Sequence, residues 1–216
     1  MKKDAVTIQL PAPTPEEEWA NCITHGLGLV MSPVALVVLV LSSMAQGEAM
    51  LAGCSVFGVT LVLMYAASTL YHSFHTPHLK HLLRILDHSA IFLLIAGSFT
   101  AFALCFLNGG WGWTLLGVEW SFALAGIAFK VFSENRYGSF STALYLVMGA
   151  MGATVLEPLA SATPAGCVTL YVAGGAFYIV GVVFFAWERL PYNHAIWHVF
   201  VLAGSLSHFL AIALYV

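Results

Sequence analysis

Apolar residues along this chain gather into seven long runs, near 20–42, 49–72, 84–107, 111–132, 140–157, 166–187 and 194–216. Short polar breaks separate them: Gln46-Gly47-Glu48, Thr76-Pro77-His78, Asn108-Gly109-Gly110, Ser133 to Arg136, Pro158 to Pro164, and Glu188 to Pro191. Every break holds Gly, Pro or charge, the residues that end helices. A helix needs about 20 predominantly apolar residues to cross the hydrocarbon of a bilayer. The pattern therefore predicts an all-α, integral membrane bundle of seven helices spanning 19–216, preceded by a short tail over 1–18.

Composition agrees with this reading. The chain of 216 residues is 60% hydrophobic and 8% charged, with a mean hydropathy of +0.90. Soluble domains carry roughly 25% charged residues, so a water-soluble globule is excluded. Seven basic against ten acidic residues leave no footprint for nucleic acid. The cysteines Cys22, Cys54, Cys105 and Cys167 are far apart and form no CxxC pair, so they are expected as small residues at helix contacts.

Charge also gives an orientation. Lys2, Lys3, Lys80, Arg84, Lys130, Arg136 and Arg189 all fall on the side of the N-terminus, whereas the opposite loops hold Glu48 and Glu157. Positive loops remain cytoplasmic, so the N-terminus is expected inside and Val216 outside. The leader has no apolar core of a secretory signal and reads as a cytoplasmic tail. This orientation is opposite to that of G-protein-coupled receptors, and the seventh span has no lysine for a retinal Schiff base.

Polar residues inside spans usually mark function, and here they cluster at the expected cytoplasmic ends. The first span opens Glu18-Trp19-Ala20-Asn21-Cys22-Ile23-Thr24-His25. The second closes Ser68-Thr69-Leu70-Tyr71-His72, the third opens Arg84-Ile85-Leu86-Asp87-His88, and the seventh opens Asn193-His194-Ala195-Ile196-Trp197-His198. His194 and His198 stand at i,i+4 and share a helix face, as do Ser68 and His72. Imidazoles at 72, 194 and 198 can fill three corners of a tetrahedron and leave the fourth to water, the composition of a catalytic zinc site. Asp87 is placed to bond that water or to orient a histidine. Two other readings of these histidines stay open: polar anchors at the interface, and axial ligands of a haem.

Other polar positions are read more plainly. His75, His78 and His81 are expected in a solvated loop, and His208 is expected to bond another helix, too far along the axis to share the metal. Glu119, inside the fourth span, is open to two readings: a proton or ion carrier, or a residue facing an interior cavity or the outer interface. Gly97, Ser98, Gly149, Gly152, Gly174, Gly175 and Gly181 suit close helix packing. Trp111, Trp113, Trp187 and Trp197 fall where an aromatic belt is expected.

Four segments together resemble the hemolysin III branch of the progestin and adipoQ receptor (PAQR) family. They are Glu18-x-x-Asn21-x-x-Thr24-His25-x-x-Gly28; Ser68-x-x-x-His72; Leu86-Asp87-His88-Ser89-Ala90-Ile91 with Ala96-Gly97-Ser98; and His194-x-x-x-His198 with His208-Phe209. Ala101 departs from the pattern, standing where many relatives carry Pro. The resemblance implies seven helices with a cytoplasmic N-terminus. It also implies zinc on His72, His194 and His198, with Asp87 on the metal water and Ser68 as the serine of the SxxxH motif. Alkaline ceramidases share that Ser, Asp and three-His pattern, which implies zinc-dependent hydrolysis of lipid amides or esters, with membrane lipids as the partner. A structural zinc in a non-enzymatic protein that senses or adjusts membrane state is the alternative, and a pore-forming cytolysin is a third. The sequence leaves the oligomeric state open.

Overall fold

The structure, a computed structural model, describes residues 13–107, 109–133 and 138–216. It is all-helical there, in the order α1 (Pro15–Ser43), α2 (Glu48–Ser73), α3 (Pro77–Phe106), α4 (Gly110–Phe132), α5 (Gly138–Met151), a 3-10 turn (Gly152–Val155), α6 (Leu156–Ala162), α7 (Ala165–Ala186) and α8 (Asn193–Ala213). The segment α5 to α6 acts as one span, giving seven helices long and apolar enough to cross a membrane. Lys2, Lys3 and Arg136 lie outside the described residues, while Lys80, Arg84, Lys130 and Arg189 stand at one common end of the bundle.

Three boundaries differ from expectation, each for a local reason. α1 begins at Pro15 rather than near 20, because Thr14 and Glu17 form a capping box. The Glu17 amide donates to Thr14 Oγ1 at 3.3 Å, and the Thr14 amide donates to a Glu17 carboxylate oxygen at 2.9 Å. Glu18 is therefore inside a helix, not in a tail. α3 begins at Pro77, since proline at the first helical position has no amide hydrogen bond to lose. His78 and His81 thus lie on its first turns, still exposed, and only His75 is in a loop. Pro158, expected in a break, sits in the first turn of α6, where proline is tolerated.

α3 is the most buried helix and touches α2, α4, α5, α6 and α8, while α8 closes the ring against α1 and α7. It runs unbroken through Ala101, which is fully buried. Small residues set how closely these helices approach. A Cβ on Gly28 would strike the Tyr65 ring, one on Gly97 would strike Thr60, and one on Gly126 would strike Phe92. Gly149 and Gly175 face open space, so the expected packing role fails for them. Apolar side chains of α1 and α7, including Val30, Val34, Ile179 and Val183, point outward as a lipid-facing surface requires. Trp111, Trp113 and Trp187 are exposed near span ends, but Trp197 packs inward against Gly181 and Phe185 and belongs to no belt.

The cysteines are free, with Cys54, Cys105 and Cys167 buried at helix contacts as expected. One internal tie is informative about the ends. Tyr192, just before α8, has a left-handed backbone (φ 58°), and its amide donates to the Glu17 carboxylate at 3.0 Å. That bond fixes the start of α8 to the start of α1.

Candidate metal centre

Helix direction brings the start of α1, the end of α2, and the starts of α3 and α8 to one end of the bundle. His72 comes from α2; His194 and His198 come from successive turns of α8. Their ring centroids are 5.1 Å apart (His72 to His194), 5.1 Å (His72 to His198) and 4.5 Å (His194 to His198). One ligand atom from each lies within 4.8 Å of the other two, so the three can hold a metal ion. His72 and His198 are buried, whereas His194 is partly open.

The nitrogens that face away are bonded in a way that prepares the others. His72 Nδ1 donates to Glu18 Oε2 at 2.7 Å, which leaves its buried Nε2 without a hydrogen-bond partner. His198 Nδ1 lies 3.2 Å from the Asn21 carbonyl and 3.1 Å from Thr24 Oγ1. Since Thr24 spends its own proton on the Ala20 and Asn21 carbonyls, the His198 nitrogen is the donor in both contacts. Metal-binding histidines usually donate their second N–H to a carboxylate or carbonyl, fixing the tautomer and exposing the other lone pair. The donor set, its orphaned Nε2 and these second bonds fit a metal ion held by three imidazoles.

Glu18 is the member that sequence reading left without a role. Its second oxygen accepts from Lys80 Nζ at 2.7 Å, and that ammonium also lies 4.9 Å from the Tyr71 ring centroid. The carboxylate is thus neutralised by a cation while it polarises His72. His25 was also unassigned. Its ring stacks on His198 with centroids 3.4 Å apart, and its Nδ1 is 2.7 Å from Ser68 Oγ. Glu18, Asn21, His25 and Gly28 are all buried on one face of α1. Their spacing of three, four and three residues was the available signal.

Asp87 of α3 and Ser68 of α2 are both buried. Asp87 is buried, with Ser68, His72, His88 and Lys130 as its polar neighbours. Ser68 is shared, since His25 also holds its hydroxyl. Behind them Tyr145 of α5 donates to the His88 carbonyl at 2.7 Å, bracing α3 at this depth. His78 and His81 remain outside the cluster. His208 does bond another helix, its Nε2 donating to the Tyr171 carbonyl of α7 at 3.2 Å.

Fold and site together define a multi-pass membrane protein with a three-histidine centre at one end of its bundle. The chain belongs to the Haemolysin-III related family, whose profile matches residues 14–209. It is 46% identical over 202 residues to "Hemolysin-3" of Bacillus cereus, covering 93% of this chain and 92% of that protein. To the "Hemolysin-3 homolog" of Bacillus subtilis (strain 168) it is 43% identical over 203 residues, covering 94% and 95%. A more distant relative is the human "Monocyte to macrophage differentiation factor", 29% identical over 206 residues, covering 93% and 84%.

Proposed function

We propose that this protein is a zinc-dependent hydrolase that acts within the membrane on lipid amides or related esters. The observation that carries the reading is the convergence of His72, His194 and His198, with the His72 Nε2 buried and otherwise without a partner, beside a buried carboxylate. Imidazole nitrogens also suit copper, iron and nickel, so zinc rests on the family resemblance as well. When bound, the metal would supply the Lewis acidity that makes water a competent nucleophile near neutral pH. Asp87 takes the proton of the attacking water as its oxygen bonds to the acyl carbon. It then returns that proton to the amine nitrogen as the C–N bond breaks. Ser68 donates to the developing oxyanion, and His25 positions the serine from behind.

Orientation supports the same assignment. Lys80, Arg84, Lys130 and Arg189 surround the histidine end, which the positive-inside rule places in the cytoplasm. Lipid then enters sideways between helices, and water arrives from the cytoplasmic mouth. A C-terminal reporter active only in the cytoplasm should be silent, and a strong signal from an intact bundle would reverse the assignment.

Asp87→Asn tests the chemistry. The reading expects metal to be retained and cleavage of a lipid amide to fall about 100- to 10,000-fold, the usual contribution of a positioned acid–base group. The second reading, a non-enzymatic protein with structural zinc, draws support from how tightly α1 closes over the histidines, with His25 stacked on His198. It wins if neither protein releases fatty acid from a broad panel of lipid amides and esters while both still alter membrane state in cells.

A further inference from the structure

At the end of the bundle away from the histidines, two free thiols face each other across a helix contact. Cys54 lies in the second turn of α2, and Cys105 is the last residue but one of α3. Both therefore stand at the span ends opposite Lys80, Arg84, Lys130 and Arg189. Their sulfurs are 3.8 Å apart. Cys54 is fully buried and Cys105 is 7% exposed, in one apolar cluster with Leu39, Phe57, Phe102 and Phe106. The other two cysteines are engaged elsewhere. Cys22 Sγ is 3.2 Å from Ser73 Oγ, and Cys167 Sγ donates to the Ala211 carbonyl at 3.5 Å.

The backbone explains why these two sulfurs meet. Packed helices usually keep their axes roughly 8–10 Å apart, whereas a disulfide needs Cα atoms within about 7 Å of each other. Gly53, the residue before Cys54, removes that obstacle. A Cβ there would lie 3.1 Å from Leu104 Cβ, and 3.3 Å from both Ala101 Cα and the Thr100 carbonyl oxygen. The backbone of α2 thus rests against the last turns of α3, an approach that only small residues allow. Ala101 and Cys105 are one turn apart on α3, so the same close approach sets Cys105 opposite Cys54. A sulfur swings about its own Cβ, and rotation of the two side chains can close the gap to a bond of about 2.05 Å. Either cysteine alone is an ordinary small contact residue; the facing pair carries the chemistry.

We propose that Cys54 and Cys105 are a reversible oxidation site, closing to a disulfide that ties α2 to α3 at the end opposite the histidines. The oxidant is a small external disulfide. Cys105 is the point of entry, being the less enclosed of the two and next to the end of α3. Its thiolate attacks one sulfur of the oxidant; the oxidant's S–S bond breaks, a thiolate leaves, and a mixed disulfide forms. Cys54 then gives up its proton and attacks the Cys105 sulfur, expelling the second thiolate. Two S–H bonds are lost and one S–S bond is gained, while the oxidant is reduced to two thiols that take up both protons. The positive-inside rule places this end outside the cell, where disulfides persist. The proposal is independent of the hydrolase reading and of the metal.

The test exposes the full chain, in lipid nanodiscs, to dipyridyl disulfide, a small apolar oxidant whose leaving thiolate is read by absorbance. Remaining thiols are then alkylated, and the chain is digested without reductant for mass spectrometry. The expected result is a peptide pair joined through Cys54 and Cys105, lighter by two hydrogens, from protein that still runs as a single chain. Dithiothreitol should return both residues to free thiols. Cys54→Ser should stop at a pyridyl adduct on Cys105, whereas Cys22→Ser and Cys167→Ser should leave the cross-link intact. Pyridyl adducts on both cysteines without a cross-link would overturn the proposal. So would a cross-link to Cys22, to Cys167 or between two chains, or thiols that stay unreacted until the chain is denatured. If Cys54→Ser does not fold, the wild-type peptide map decides the matter.

Discussion

At the α1–α2–α8 end, His72, His198 and His25 each have one ring nitrogen bonded to a carboxylate, a carbonyl or a hydroxyl. In the other half, Glu119 has no partner at either oxygen and His208 has none at Nδ1. Both regions are buried, and both are built from polar side chains on apolar helices. The difference is in what surrounds them. The histidine centre has Lys80, Glu18 and Asp87 around it, so charges are matched and the rings are oriented. In the other half three buried polar atoms, both Glu119 carboxyl oxygens and His208 Nδ1, have no hydrogen bond among the described residues. An oriented, neutralised cluster is suited to holding a cation at fixed geometry.

The largest effect expected from breaking this contrast belongs to Glu18. Glu18→Gln keeps the shape but removes the charge that polarises His72 and pairs with Lys80. Zinc affinity, measured by competition with a chelator, should fall about 10- to 100-fold, the usual cost of losing an outer-shell partner. An unchanged affinity would reduce Glu18 to a tie between α1 and α2.

Next is the packing that delivers Glu18 to His72. Gly28→Val forces a side chain into the Tyr65 ring, and overpacking of this kind costs about 1–3 kcal/mol. Thermal unfolding should shift down accordingly, whereas Gly175→Ala, which meets open space, should shift it little.

The Glu119 region should respond with the opposite sign. Glu119→Leu removes a buried group with no hydrogen bonds, and should raise stability by about 1 kcal/mol because the desolvation cost of that group disappears. Glu18→Leu, by contrast, strands a lysine and a histidine, so it should destabilise. If both changes lower the melting temperature equally, the comparison between the two regions fails. The smallest effect is expected at the brace behind Asp87: Tyr145→Phe should cost about 1 kcal/mol for one hydrogen bond and leave bound zinc unchanged.

The spans were legible because each is a long apolar run, and the bilayer allows little else. Some helix starts were legible in principle but masked by charge. Thr14-x-x-Glu17 is a capping box before an apolar run, yet Glu16, Glu17 and Glu18 made it resemble a solvated tail. Likewise His78, Lys80 and His81 made the first turns of α3 resemble a loop, although Pro77 marked the start. Within the site, i,i+4 spacing brought out His72, His194 and His198. The bonds that orient them were not legible, because they cross between helices far apart in sequence: Glu18 to His72, Asn21 to His198, His25 to Ser68. Only the stripe of Glu18, Asn21, His25 and Gly28 hinted at which face of α1 turns inward. Nothing in the sequence around Glu119 showed that both its oxygens would lack partners, since that depends on which residues the helices packed against α4 place beside it.

The central claim, a zinc site formed by His72, His194 and His198, is tested most directly by the metal content of the purified full chain. Wild-type protein and His78→Ala should each carry one zinc per chain, since His78 is exposed on the first turn of α3 and outside the cluster. His198→Ala should lose most of that metal while remaining folded. Equal zinc in His198→Ala and His78→Ala would contradict the ligand set.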